Sequence, residues 1–145
     1  MKELLLKTLH EEIPITKSMG IDVLKAQSDE VVIKAPLELN INHKCTAFGG
    51  SLNTTAVLAC WSMLFVRLQS TQTNAHIVIH SSSVSYIKPV SEDIIARCDI
   101  KDEAAYEKMM KMYERYGKAR IKLEAKVYDH GELALTFTGE YVIHS

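Results

Sequence analysis

Between Gly49 and Leu68 the sequence runs through Leu52, Ala56, Val57, Leu58, Ala59, Cys60, Trp61, Met63, Leu64, Phe65 and Val66. Those side chains fall on every side of a helical wheel, so a helix here cannot rest with one face in water. It needs apolar surroundings on nearly all sides. A bilayer would supply them, but the run Ala56–Val66 is broken by Ser62 and is shorter than the ~20 residues of a spanning helix. The remaining solution is a sheet of the same chain folded around the helix.

The flanking sequence has the material for such a wrap. Met1–Glu12 reads as a helix with Leu4, Leu5, Leu9 and Ile13 toward one face and Pro14 as its stop. Ile21–Ala26 and Val31–Ala35 read as a strand pair around the turn Ser28-Asp29-Glu30, and Leu37–Phe48 as an ordered loop. Ile77–Pro89 is rich in β-branched and hydroxyl residues. Around Ile94–Ile100, Ala119–Val127 and Leu133–Ile143 the apolar residues keep one parity, the mark of antiparallel strands with one wet face. Asp129-His130-Gly131-Glu132 is the turn between the last two. Asp102–Tyr116 reads as a helix, with Asp102 as N-cap, Arg115 in the last turn and Gly117 as the left-handed stop. Its stripe of Ala105, Met109, Met112 and Tyr116 is expected to pack on the domain's own body, a cofactor or partner surface being the alternative.

The fold class is therefore α+β, a curved antiparallel sheet of about six strands around a long central helix, with an extra helix at about 102–116. No linker, repeat or low-complexity tract divides residues 1–145, which read as a single domain. With 47% apolar residues, a chain this long can bury a core without disulfide or metal staples. Seventeen Lys+Arg against eighteen Asp+Glu leave a net charge of −1, which excludes a broad nucleic-acid footprint. Three cysteines at wide spacing suit a reducing compartment, and Met1–His10 lacks the make-up of a signal peptide. The expected location is the cytoplasm.

Phe48-Gly49-Gly50-Ser51-Leu52 at the start of the central helix resembles the hot-dog fold of acyl-thioester enzymes, as do Tyr86-Ile87-Lys88-Pro89-Val90 and the Asp129–Glu132 hairpin. The chain is most similar to the thioesterase-like domain that also occurs fused behind GNAT-type acetyltransferases. That resemblance runs through Ile13–Gly20, Ala35-Pro36-Leu37, Asn40-Ile41-Asn42-His43-Lys44, Thr46–Leu52 and Gly117-Lys118-Ala119-Arg120, and so covers nearly the whole chain. It implies an acyl-thioester substrate.

Hot-dog thioesterases with a His-Gly-Gly motif polarise the thioester carbonyl with a backbone N–H at the Gly-Gly, which by resemblance points to Gly49, with Gly50 beside it. The free N–H groups and dipole of a helix start suit a developing oxyanion, and glycines leave room for close approach. Those enzymes have an Asn six residues before the His, and Asn42 stands six before Phe48, which takes the place of that His. Their catalytic carboxylate lies nine residues beyond the His, and that position is Val57 here. Leu39–Ser91 contains no Asp or Glu, so no base of that kind comes from the central helix.

Replacement candidates are few. Asn42 could orient a water or close a loop turn. Histidine exchanges protons near neutrality, which makes His43 the candidate base. Lys44 could meet an anionic part of the ligand, with Phe48, Asn53, Thr54 and Ser83 lining the pocket. Cys45 lacks a visible triad. Phosphate-loop, nucleophile-elbow and paired-cysteine motifs are absent, and neither metal nor cofactor is expected.

The expected activity is hydrolysis of an acyl-CoA or acyl-carrier-protein thioester, with a non-catalytic acyl-thioester or fatty-acyl binding module as the alternative. No nucleic acid or membrane partner is expected. The expected assembly is a homodimer, or a dimer of dimers, joined along strand Ile77–Pro89 with the site between subunits.

Overall fold

A computed structural model describes residues 1–145. In chain order the elements are α1 (Lys2–Glu12), α2 (Ile15–Ser18), β1 (Asp22–Ala26), β2 (Glu30–Ala35), α3 (Gly49–Ser70), β3 (His76–Tyr86), β4 (Ile94–Asp99), α4 (Glu103–Tyr116), β5 (Lys118–Asp129) and β6 (Glu132–His144). A single 3-10 turn, Leu37–Leu39, breaks the loop before α3. The six strands form one antiparallel sheet in the order β1-β2-β4-β5-β6-β3.

The alternating segments form the strands that their period predicts. On β5, Ile121, Leu123, Ala125 and Val127 are buried toward α3 while Lys122 and Glu124 face out. The β5–β6 turn is as tight as its sequence implies. His130 and Gly131 have φ of 48° and 82°, two consecutive left-handed residues that join strands twisting in the native sense. At α4, Asp102 accepts from the Ala105 N–H at 3.0 Å and Gly117 closes the helix at φ 71°.

α3 is long and apolar enough to cross a bilayer. In this fold the sheet surrounds it instead, and Ala56, Ala59, Cys60, Met63 and Leu64 are fully buried. The wrap is not complete. Asn53, Val57, Trp61 and Phe65, four apart on one stripe, are only half-buried. Beyond them lies the edge strand β3, pairing only with β6 and mostly exposed, with Leu4 and Thr8 of α1 bordering the Trp61–Phe65 end. Trp61 and Phe65 stack there with ring centres 5.4 Å apart, and the Trp61 indole N–H donates to Ile77 C=O at 3.1 Å.

Smaller expectations are corrected as well. Leu4 is exposed, so α1 buries Leu5 and Leu9 alone. Pro14 follows α1 and is the N-cap of α2, so its missing N–H interrupts neither helix. β3 stops at Tyr86 rather than reaching Pro89. On α4, Tyr106 and Met109 are buried, whereas Met112 and Tyr116 remain exposed. The packed face of α4 runs through Tyr106 and Met109, where Arg67 of α3 lies 4.2 Å above the Tyr106 ring and pairs with Glu103.

Candidate active site

The loop before α3 is built by two asparagines. Asn40 is buried, and its side-chain N–H2 donates to Met19 C=O at 2.9 Å and Pro36 C=O at 2.8 Å, while its own C=O accepts from Phe48 N–H at 2.7 Å. Asn42 Oδ1 accepts from the N–H groups of Lys44 at 2.9 Å and Thr46 at 3.1 Å, and its Nδ2 donates to Thr46 Oγ1 at 3.0 Å. Both ends of the Asn42 amide are thus engaged by the loop. These bonds are those of a loop turn, and the second Nδ2 proton is only loosely held, with Ala47 C=O 3.5 Å away. Ala47 N–H then donates to Val90 C=O at 2.8 Å and fixes the loop to the segment after β3.

The loop delivers Gly49 to the start of α3 with no capping side chain. The first in-helix bond is from Leu52 N–H to Phe48 C=O, so the N–H groups of Gly49, Gly50 and Ser51 have no protein acceptor. The two glycines differ in what surrounds them. A Cβ on Gly49 would lie 3.6 Å from Tyr86 Cε1, an ordinary contact. One on Gly50 would lie 2.5 Å from Phe48 Cε2. Gly50 therefore leaves room for the Phe48 ring. Phe48 itself is exposed at the helix start.

Tyr86 is the residue that sequence reasoning missed. Its hydroxyl donates to Gly49 C=O at 2.9 Å and its ring stands against Gly49. The one signal was its place at the head of the family-like stretch Tyr86–Val90.

One turn into α3, Asn53 shares the face of Gly49 and Thr54 that of Gly50. Asn53 Oδ1 is buried without a hydrogen-bond partner, an arrangement that costs free energy unless something meets it. One turn further, Val57 offers no polar side chain, and its C=O accepts from Tyr141 OH at 2.8 Å. Burial pushes the Tyr141 phenol far above the usual range, so it acts as a donor and not as a base. Cys60, behind the same face, is likewise held as the thiol, first by burial.

His43, Lys44 and Cys45 lie together on the exposed tip of the loop, Cys45 with a left-handed φ of 64°. The His43 ring makes no hydrogen bond within the chain. Ser83 is not a pocket wall. A bulge between Ile79 and Ser81 reverses the parity of β3, so Ser83 sits beside Thr138 on the outer face and Ser82, beside buried Gly139, takes the inner one. The His76 and His144 rings lie tilted with centres 5.2 Å apart, and His80 meets Glu140 at 3.3 Å.

Glu92, Asp129 and His130 bring possible metal-ligating atoms within 4.8 Å of one another. They clamp the β5–β6 turn: Glu92 accepts from His130 N–H at 2.7 Å and Asp129 from Ser91 N–H at 2.9 Å. Burial works to raise the Asp129 carboxyl, but the bonds from Ser91 and His130 prevail and hold it below the usual carboxylate range.

Residues 2–145 match the sequence model of the family described as "Putative thioesterase (yiiD_Cterm)". The chain belongs to this family. Among solved structures, it is similar to a protein of unknown function from Chlorobaculum tepidum, at 35% identity and TM-score 0.95 over 99% of this chain and 94% of that one. A "putative thioesterase" from Shewanella oneidensis is 28% identical with TM-score 0.85, over 99% of this chain and 97% of that one. A "Probable Thioesterase" of unknown function from Pseudomonas aeruginosa shares the fold at TM-score 0.85 and 20% identity, over 100% of this chain and 96% of that one. The architecture is that of the hot-dog thioesterases.

Proposed function

We propose that the chain hydrolyses an acyl thioester, carried on coenzyme A or an acyl carrier protein, in the cytoplasm. The observation that carries this reading is the uncapped start of α3, where three adjacent N–H groups lack acceptors at the positive end of a 22-residue helix. A thioester carbonyl placed there gains most as its oxygen becomes an anion, which is the condition for catalysis by the site. His43 on the adjoining loop takes the proton of the attacking water, and Asn53, one turn into α3, lines the site. Lys44 meets the anionic carrier, and Phe48, Tyr86 and Thr54 flank the acyl thioester. Two copies join along β3, whose outer edge has no partner strand, and each covers the half-buried α3 stripe of the other.

One observation favours the non-catalytic binding module: Val57 stands where related enzymes have a carboxylate, and Leu39–Ser91 holds no acid. Steady-state release of free thiol from a panel of acyl-CoA esters decides between them. Turnover that depends on Gly49 supports hydrolysis. Saturable binding of the same esters with no thiol release selects the binding module.

A further inference from the structure

The outer side of α4 is used neither by the fold nor by the site above. Met112 and Tyr116 are 44% and 60% exposed although they continue the apolar stripe of buried Met109. They border a groove of about 920 Å³ between α4 and the β5–β6 strands. That volume lies in the range of small-molecule sites, about 300–1,000 Å³. The two acids along the groove are engaged. Glu140 accepts from Arg120 at 3.3 Å and meets His80, and Asp102 caps α4. Its three lysines, Lys108, Lys118 and Lys122, have no acidic partner. The groove thus joins a flexible methionine floor, which adapts to an alkyl chain, to a rim where four cations, Lys108, Lys118, Arg120 and Lys122, face two acids. A neutral lipid would leave the lysines idle, and a compact polyanion would leave Met112 and Tyr116 uncovered.

We propose that this groove is a second ligand site, taking a medium- or long-chain fatty carboxylate as a single molecule. Its chain lies along Met109, Met112 and Tyr116, and its head meets Lys118 and Lys122. The site is separate from Gly49. α4 docks on α3 through Arg67, near the far end of the helix and about 27 Å from its start. Binding here requires nothing of the chemistry at that start.

The test is a titration of the full chain, labelled with 13C at the methionine methyls, with decanoate below its self-association limit. Met109 and Met112 are expected to shift together and saturably, while buried Met19 and Met63 stay fixed. Affinity should rise about twofold to fourfold for each methylene from octanoate to dodecanoate. Lys118→Gln with Lys122→Gln should weaken decanoate about threefold to tenfold, and methyl decanoate should bind the unaltered chain at least as much more weakly. Met112→Glu should abolish the shifts and leave basal thiol release unchanged. Equal affinity for decanoate and its methyl ester would overturn the proposal, as would shifts that ignore Met112 or no shifts at all. Capture by phosphatidylglycerol vesicles, lost on Met112→Glu but without a response to decanoate, would overturn it in favour of a membrane surface.

Discussion

A Cβ at position 49 first meets the Tyr86 ring, at 3.6 Å, whereas one at 50 runs into Phe48 at 2.5 Å. Gly49→Val is accordingly expected to fold with little change in Tm and to lose at least 90% of thiol release, roughly tenfold or more, because its branched Cβ covers the first N–H groups. Normal release from folded Gly49→Val would remove the carbonyl site from the start of α3. Gly50→Ala is expected to act only by displacing Phe48, so its effect on activity should vanish in a Phe48→Ala background. Asn42 belongs to the loop. Asn42→Ala should cost about 1–3 kcal/mol in urea unfolding, since it orphans the N–H groups of Lys44 and Thr46. Asn42→Asp, which keeps the acceptor, should recover most of that stability.

At the scale of elements, two clamps hold the pieces that the sheet hydrogen bonds alone do not. Arg67 on α3 makes two bonds to Glu103, at 2.9 Å and 2.6 Å, and covers the Tyr106 ring of α4. Arg67→Ala should lower stability by about 1–2 kcal/mol and loosen α4, visible as faster amide exchange between Glu103 and Tyr116. The second clamp is Asp129 at the β5–β6 turn. Its carboxyl titrates lower in the folded chain than in the unfolded one, so the stability it contributes is complete above the unfolded value of about 4. That contribution is lost as pH falls from there through the folded value. The Tm gap between wild type and Asp129→Asn should therefore be constant near neutrality and shrink below about pH 4. A gap independent of pH down to acid unfolding would show that the charge plays no part.

For the whole molecule, the open side of the wrap is the decisive feature. β1 is the other edge strand, but α1 packs against it, while the eleven residues of β3 present a free backbone edge beside Val78 and Ile79, both partly exposed. Sedimentation equilibrium at micromolar concentration should give about 33 kDa, twice the 16.3 kDa chain. Ser81→Lys with Ser83→Lys should shift that equilibrium toward monomer by placing like charges along the shared edge, and activity should fall with it. A wild-type chain that stays active as a 16.3 kDa species would refute the shared edge.

The sequence by itself determined the elements and their order. An apolar helix, alternating strands, a His-Gly turn and an Asp-to-Gly helix frame are local statements, set by side-chain period and by φ preferences that act within a few residues. The uncapped Gly-Gly start of α3 was legible for the same reason. Tertiary structure alone decided which face each element shows. The bulge after Ile79 turns Ser83 outward and Ser82 inward, a one-residue shift that composition does not encode. Whether Asn42 spends its amide on the loop, whether Phe48 fills the space beside Gly50, and that Tyr86 reaches Gly49 across 37 residues depend on which segments become neighbours. The exposure of Met112 and Tyr116 was likewise a tertiary outcome, on a helix tied to α3 by the Arg67–Glu103 pair across 36 residues. Such contacts form only when the sheet closes, because no local period specifies the partner of a side chain so distant in the chain.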